Sequence, residues 1–240
     1  MNAFCALTAT QWMIFGRNPR TLFWNLAFPL LLLLIAKTSL QSSASLDERL
    51  GALAFSLNSG VFTLGLFGLT WNLAHQKELK LLDRLEVAPV SKALLLLAQA
   101  AAFLGLQLAQ LALILLLGLP LLGLHLAPPI LLRFGAASLL GGMVGISLGF
   151  GLIALIRQPQ ALLAASRLFM VLLFFLEGTF VAPKLWPSWL HTLSTWTPIR
   201  LELRLLLTSL GASSFTLPHL IALVGELVAL STLGLVFFPW

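Results

Sequence analysis

The sequence is poor in charge. Of its 240 residues only 9% are Asp, Glu, Lys or Arg, whereas 59% are hydrophobic, and the mean hydropathy is +1.00. A water-soluble domain of this length needs far more polar side chains to cover its surface. The composition therefore excludes a soluble globular protein and predicts a membrane protein.

Cysteine is almost absent, and catalytic motifs are missing. The single thiol, Cys5, cannot form a disulfide within the chain and has no second thiol with which to bind a metal. No HExxH motif is present, and the topology predicted below puts His75 on the opposite side of the membrane from His125, His191 and His219, which excludes a shared zinc site. No GxSxG motif supports a serine hydrolase. We therefore predict no catalytic residue and no metal ligand.

The few charges that the chain carries are mostly positive, with a net charge of +6 and a pI near 10.5. Binding to nucleic acid needs a solvated basic patch interleaved with polar groups, and this sequence offers none. In a membrane protein, Lys and Arg instead hold loops against anionic lipid and set the orientation. We expect membrane lipids as partners, and no nucleic acid.

Long apolar runs are what the sequence has in abundance. Six of them approach the roughly 20 residues that a helix needs to cross a bilayer, and they predict an all-α, polytopic protein with a single transmembrane domain over residues 1–240. A polar turn is predicted at 41–49, and a less regular external segment at 183–216, where a helix near 202–210 is either interfacial or partly re-entrant. The predicted spans cover 21–39, 51–74, 93–118, 130–156, 161–181 and 217–238.

The distribution of basic residues predicts the orientation. With the N-terminus inside, eight of the 14 Lys and Arg residues fall on the inner side, where they crowd into short loops as the positive-inside rule requires. We expect an integral protein of the plasma membrane, the inner membrane in a bacterium, with both termini in the cytoplasm.

One short stretch, residues 75–92, concentrates charge. Leucines recur in it at three-residue intervals, which predicts a short amphipathic cytoplasmic helix that ends at Pro89. Such a helix can lie on lipid headgroups or dock into a groove of another protein. Taken alone, the stretch favours the lipid surface, since most charged loop faces are merely solvated. The charged residues of the stretch are Lys77, Glu78, Lys80, Asp83, Arg84, Glu86 and Lys92.

Two carboxylates fall within predicted spans. Glu226 lies near the middle of the sixth span, where an ionised carboxylate is costly and usually faces the protein interior or a water-filled cavity. Glu177 lies near the outer end of the fifth span. Both are candidates for a translocation path or a buried pair. The alternative for Glu226 is a neutral hydrogen bond between helices, and the alternative for Glu177 is a position that only marks the membrane interface.

Several segments resemble the permease subunits of ATP-binding-cassette exporters of the type-2 class. They are RNPRTLFWNLAFPLLLLL (17–34), ELKLLDRLEVAPVSK (78–92), and EGTFVAPKLWP with WTPIRLELRLL (within 177–207). The resemblance implies an N-terminal interfacial helix over 1–20, a cytoplasmic coupling helix over 75–92, and an external segment at 183–216 introduced by a glycine, phenylalanine and proline element. The corresponding residues here are Gly178, Phe180, Pro183, Pro187 and Pro198.

The resemblance also implies a mechanism. A separate ATPase subunit, present in two copies or as a heterodimer, would hold the coupling helix and move it on closing around ATP and Mg, so that two permease copies export a lipid, drug or other amphipathic substrate. This chain has no GxxxxGK[ST] motif with which to bind a nucleotide itself. The implied coupling contacts are Glu78, Asp83, Arg84 and Glu86, anchored by Leu79, Leu82 and Leu85.

Two other functions fit parts of the sequence. An ion-gradient-driven secondary transporter would use Glu226 and Glu177 as protonatable groups, although no inverted halves are visible in the sequence. A non-transporting membrane anchor fits the composition but gives no reason for carboxylates within the spans.

Overall fold

The computed structural model describes residues 3–17, 19–41, 43–79, 91–181, 183–214 and 216–238. Within these ranges the chain forms helices and no strand, and six of the helices are long and apolar enough to cross a membrane. The prediction of an all-α protein with six membrane-spanning helices is therefore confirmed.

The described part of the chain contains nine α-helices, of which α2 to α6 and α9 are the six long ones. A short 3₁₀ turn, Pro183–Leu185, precedes α7. The helices are α1 (Ala3–Arg17), α2 (Pro19–Ser39), α3 (Leu46–Glu78), α4 (Lys92–Leu122), α5 (Pro128–Leu155), α6 (Pro159–Glu177), α7 (Ser188–Thr195), α8 (Pro198–Ser209) and α9 (Leu217–Phe237).

Helix α3 is longer at both ends than the predicted second span. It begins at Leu46 because Ser45 and Glu48 form a capping box: the Glu48 amide donates to the Ser45 hydroxyl (3.3 Å), and the Ser45 amide donates to the Glu48 carboxylate (2.8 Å). The last four residues of the turn predicted at 41–49 are therefore helical, and that part of the prediction is wrong. At its other end α3 continues without a break to Glu78.

Helices α3 and α5 form the centre of the bundle, and α2 and α9 lie at its periphery with most of their surface exposed. Two hydrogen bonds join separate chain segments at one end of the bundle. The Lys77 ammonium donates to the Arg157 carbonyl (3.1 Å), and the Lys92 ammonium donates to the Phe238 carbonyl (3.3 Å). The N-terminal helix α1 also ends there, at Arg17. We therefore call this end the N-terminal end of the bundle.

A π-helical turn, Thr63–Gly68, lies within α3 and contacts α5 backbone to backbone. A Cβ placed on Gly65 would lie 2.6 Å from the carbonyl carbon of Gly145, and one placed on Gly149 would lie 2.9 Å from the Gly65 carbonyl oxygen. Glycines permit this approach because they have no side chain, and close packing of this kind holds helices together where water cannot.

The segment predicted to be external, for which we keep the name external segment, folds into α7 and α8 and is less exposed than its composition suggests. Pro187 is the residue before α7, and Pro198 is the first residue of α8, where the missing amide hydrogen costs nothing. Helix α8 packs against α3, α5 and α6 and buries Leu201 and Leu206 completely. The segment therefore covers one end of the bundle rather than extending from it.

Candidate functional site

Two of the seven proposed coupling residues lie within the described residues. Glu78 is in the last turn of α3, with a carboxylate oxygen 4.0 Å from the His75 imidazole, and both side chains are about half exposed. Leu79 follows as the C-cap residue and is exposed. These two residues therefore present their side chains at the N-terminal end of the bundle. Leu82, Asp83, Arg84, Leu85 and Glu86 lie outside the described residues.

Four buried amide side chains join the helices at the same end. Gln11 of α1 accepts hydrogen bonds from Asn72 (3.2 Å) and Gln76 (3.0 Å) of α3. Asn72 also donates to Gln99 of α4 (3.3 Å), which in turn donates to Gln76 (3.2 Å). Because buried amides are costly unless they are paired, this amide network fixes α1 against α3 and α4. Sequence reasoning missed these residues.

Glu177 lies at the opposite end of the bundle in a buried polar cluster. Its side chain is 2% exposed, and it accepts hydrogen bonds from Asn58 (2.6 Å), Ser59 (2.9 Å) and Thr179 (3.2 Å). The Asn58 amide also donates to the Ile199 carbonyl (3.0 Å). We call these four side chains the Glu177 cluster. It joins the end of α6 to the middle of α3 and to the start of α8.

Arg200 lies beside the Glu177 cluster on α8. Its guanidinium donates to the Glu177 carbonyl oxygen (3.2 Å) and lies 5.6 Å from the centre of the Trp186 ring. Burial lowers the pKa of Arg200, and the positive charge of Arg204 lowers it further, whereas Glu177 acts in the opposite direction. Trp186 also stacks on Phe175 at 5.9 Å, which holds the external segment on α6.

Glu202 of α8 is buried without a partner. Its side chain is 0% exposed, and neither carboxylate oxygen has a hydrogen bond within the part of the chain that the structure describes. Burial raises its pKa well above the ordinary value of 4.5, which favours the neutral acid. A Cβ on Gly141 of α5 would overlap the Glu202 carboxyl group, so glycine at this position leaves the room that the acid occupies.

Sequence reasoning did not identify Glu202. A carboxylate outside the predicted spans carries no obvious cost, because it is expected to face water. Its burial follows from the packing of α8 against α5, which the sequence does not reveal.

Glu226 lies on α9 and is separated from the Glu177 cluster. Helix α9 packs mainly against α5, and the Glu226 side chain is partly buried, with one carboxylate oxygen unpartnered. Among the described residues, no hydrogen bond or ion pair joins Glu226 to Glu177. The structure therefore gives the two carboxylates different surroundings.

The external residues suggested by the resemblance shape the turn after α6. Gly178 ends α6 with φ +106°, a left-handed conformation that disfavours any side chain, and it lies against the Pro183 ring. Pro183 begins the 3₁₀ turn, Pro187 precedes α7, and Pro198 begins α8, while Phe180 is exposed. Each proline therefore stands at the start of a helical element.

Comparison with known families gives a match over almost the whole chain. A family model described as ABC-2 type transporter matches residues 2–237. The matched region includes the six long helices, the amide network, the Glu177 cluster and the external segment. No curated protein matches the chain.

Proposed function

The chain belongs to the ABC-2 type transporter family, and on that basis we propose that it exports a lipid, drug or other amphipathic substrate, driven by ATP hydrolysis in a separate subunit. The family assignment makes the chain a transmembrane permease component of an ABC transporter, an integral membrane protein and not the ATPase. It also implies an ABC ATPase subunit as partner. The assignment favours this function over an ion-gradient-driven transporter or a membrane anchor.

The proposed assembly contains two permease chains and two ATPase subunits, or heterodimers of similar chains, with ATP and Mg on the ATPase subunits. Helices α2 and α9 expose large apolar side chains over most of their length. Such surfaces are suited to lipid and to a second permease chain. This chain itself binds no cofactor in the proposal.

Helix α3 supports the proposed coupling mechanism. It is continuous from Leu46 to Glu78, and its two halves are bonded to different parts of the bundle. Asn58 and Ser59 bind Glu177 at one end, while Asn72 and Gln76 belong to the amide network at the other. A movement imposed next to Glu78 would therefore reach both the amide network and the Glu177 cluster along one continuous helix. The residues proposed to contact the ATPase remain Glu78, Leu79, Leu82, Asp83, Arg84, Leu85 and Glu86.

The two carboxylates take different roles in this proposal. Glu177 has both oxygens hydrogen-bonded, and it positions the external segment on α3. Glu226 has an unpartnered oxygen on a peripheral helix, and it is the acid proposed to face the translocation path. A carboxylate within a span that has an unpartnered oxygen is expected to face water or another polar group in the working assembly.

The proposed orientation places the N-terminal end of the bundle in the cytoplasm of the plasma membrane, the inner membrane in a bacterium. Arg17, Lys77, Lys92 and Arg157 all lie at that end. Clustered basic residues in short loops are typical of the cytoplasmic side. This orientation also puts residues 75–92 within reach of a cytoplasmic ATPase.

Purification of the full chain with its ATPase subunit tests the proposed coupling. The double replacement of Asp83 and Arg84 by alanine is expected to lose the ATPase and the ATP-dependent movement of a fluorescent phospholipid in proteoliposomes. The matched control replaces Asp47 and Arg133, two exposed charges at the opposite end of the bundle, and it should retain both.

Two results would contradict the proposal. One is an unchanged amount of bound ATPase after the Asp83 and Arg84 replacements. The other is lipid movement that persists without ATP and disappears when the proton gradient is collapsed, which would favour the ion-driven alternative.

A further inference from the structure

A cavity of about 300 Å³ lies at the N-terminal end of the bundle, between α1, α2, α3 and α4. We call it the N-terminal cavity. Its apolar wall includes Phe15, Leu22, Phe103 and Leu106. Its polar wall consists of Arg17, Asn25, Asn72, His75 and Gln76.

Most of the amides in this wall are already paired, but Asn25 is not. Asn72 and Gln76 direct their donors into the amide network. Asn25 is 7% exposed, and its side-chain amide has no hydrogen-bond partner among the residues that the structure describes. Because this amide lines the cavity, its donor hydrogens are open to an oxygen acceptor bound there.

The charge in the cavity wall has one sign. Arg17 contributes a guanidinium, and no carboxylate of the described residues pairs with it. His75 also lines the wall, and Glu78, whose carboxylate lies 4.0 Å from the His75 imidazole, is not part of the lining. A guanidinium recognises phosphate through directed, charge-assisted hydrogen bonds.

The volume of the cavity and the apolar helix surfaces beside it further limit the kinds of ligand that fit. About 300 Å³ is at the small end for ligand sites and holds a headgroup with its glycerol but not two acyl chains. The helices next to the cavity expose apolar side chains, among them Met13 of α1 and Phe23 and Trp24 of α2. A ligand with a phosphate head and long apolar tails matches both features.

We propose that the N-terminal cavity binds the headgroup of an anionic membrane phospholipid. Arg17 contacts the phosphate, and the Asn25 amide donates to an ester or hydroxyl oxygen of the glycerol. The acyl chains leave the cavity along the apolar surfaces of α1 and α2. The lipid would thereby join α1 to the last turns of α3, which precede the proposed coupling residues. Binding itself does not depend on the proposed export function.

Native mass spectrometry of the full chain in detergent, titrated with phosphatidylglycerol or phosphatidylcholine, tests this site. We expect about tenfold tighter binding of phosphatidylglycerol, and a loss of about tenfold in Arg17→Gln and in Asn25→Leu, since one charged or buried hydrogen bond is worth about that factor. Arg17→Lys should keep most of the affinity. Arg167→Gln, which removes an exposed cation on α6 outside the cavity, should leave it unchanged.

Equal binding of the two lipids, or an unchanged affinity in Arg17→Gln, would overturn the site. Because Arg17 is exposed, its replacement leaves the fold intact, and the test holds even if Asn25→Leu fails to fold. A third arm adds glycerol phosphate in large excess. No displacement of phosphatidylglycerol is expected, whereas full displacement would show a site for soluble phosphates and refute the lipid assignment.

Discussion

Replacing Gly65 by alanine tests the contact between the π-helical turn of α3 and helix α5. The added methyl group would lie 2.6 Å from the carbonyl carbon of Gly145 and 2.8 Å from the amide nitrogen of Ile146. Both atoms belong to the backbone, which cannot rotate away as a side chain can. The two central helices must therefore separate, and we expect a loss of stability.

The magnitude follows from two opposing terms. Overpacking a close contact costs about 1–3 kcal/mol, whereas alanine in place of glycine favours a helix by about 1 kcal/mol. Gly51→Ala on the same helix is the matched control, because no atom lies within 4 Å of its added methyl group. Gly51→Ala therefore gains the helix propensity of alanine without the cost of overpacking. The difference between the two variants is therefore the overpacking term, about 1–3 kcal/mol.

Thermal unfolding in detergent, followed by tryptophan fluorescence and circular dichroism, measures this difference. For a chain of this size, 1 kcal/mol corresponds to about 2–4 °C in Tm. Gly65→Ala should therefore melt roughly 2–12 °C below Gly51→Ala. If Gly65→Ala melts at the same temperature or higher, the backbones of α3 and α5 do not touch at this turn, and the reasoning fails.

Three further predictions concern buried and terminal polar groups. Asn58→Leu removes two hydrogen bonds and leaves their acceptors buried, so it should lower the unfolding free energy by about 2–4 kcal/mol. The control Ser56→Ala loses only a hydrogen bond within its own helix and should cost far less. Equal losses in the two variants would contradict a stabilising role of the Glu177 cluster. Burial raises the Glu202 pKa above 4.5, so stability is lost as pH rises from that value through the raised pKa. Glu202→Gln should therefore gain Tm relative to wild type as the pH rises above 4.5, unlike the exposed control Glu78→Gln, and parallel pH curves would refute the burial. Ser45→Ala should cost about 1 kcal/mol and speed hydrogen exchange in the first turn of α3; unchanged exchange there would show that the cap contributes nothing.

Apolar length predicts the spans well but not their ends. A run of about 20 apolar residues has few alternatives to a membrane-spanning helix, because every backbone amide must be bonded within the bilayer. Helix ends depend instead on local caps. The signal for the start of α3 is present in the sequence, since Ser45 and Glu48 have the spacing of a capping box, but the polar composition of 41–49 favoured a turn.

The candidate sites were harder to predict because they depend on how the helices are rotated against each other. Glu177 is recognisable as a carboxylate at the end of a span, but its partner Asn58 lies 119 positions away. The amide network likewise draws Gln11 and Gln99 from separate helices. Each residue alone is an ordinary polar position, and only the packed bundle shows which of them meet.

The six-residue turn in α3 also sets the angular phase between the two halves of that helix. A π-helical turn inserts residues relative to α-helical winding, and each inserted residue advances the following side chains by about 100°. Asn58 and Asn72 lie on either side of Thr63–Gly68 and bond to separate partners, so this offset sets the angle between their side chains. A winding change at this turn would therefore rotate Asn72 and Gln76 about the helix axis while Asn58 stayed in place. Helix α3 would then transmit a rotation as well as a translation along its axis.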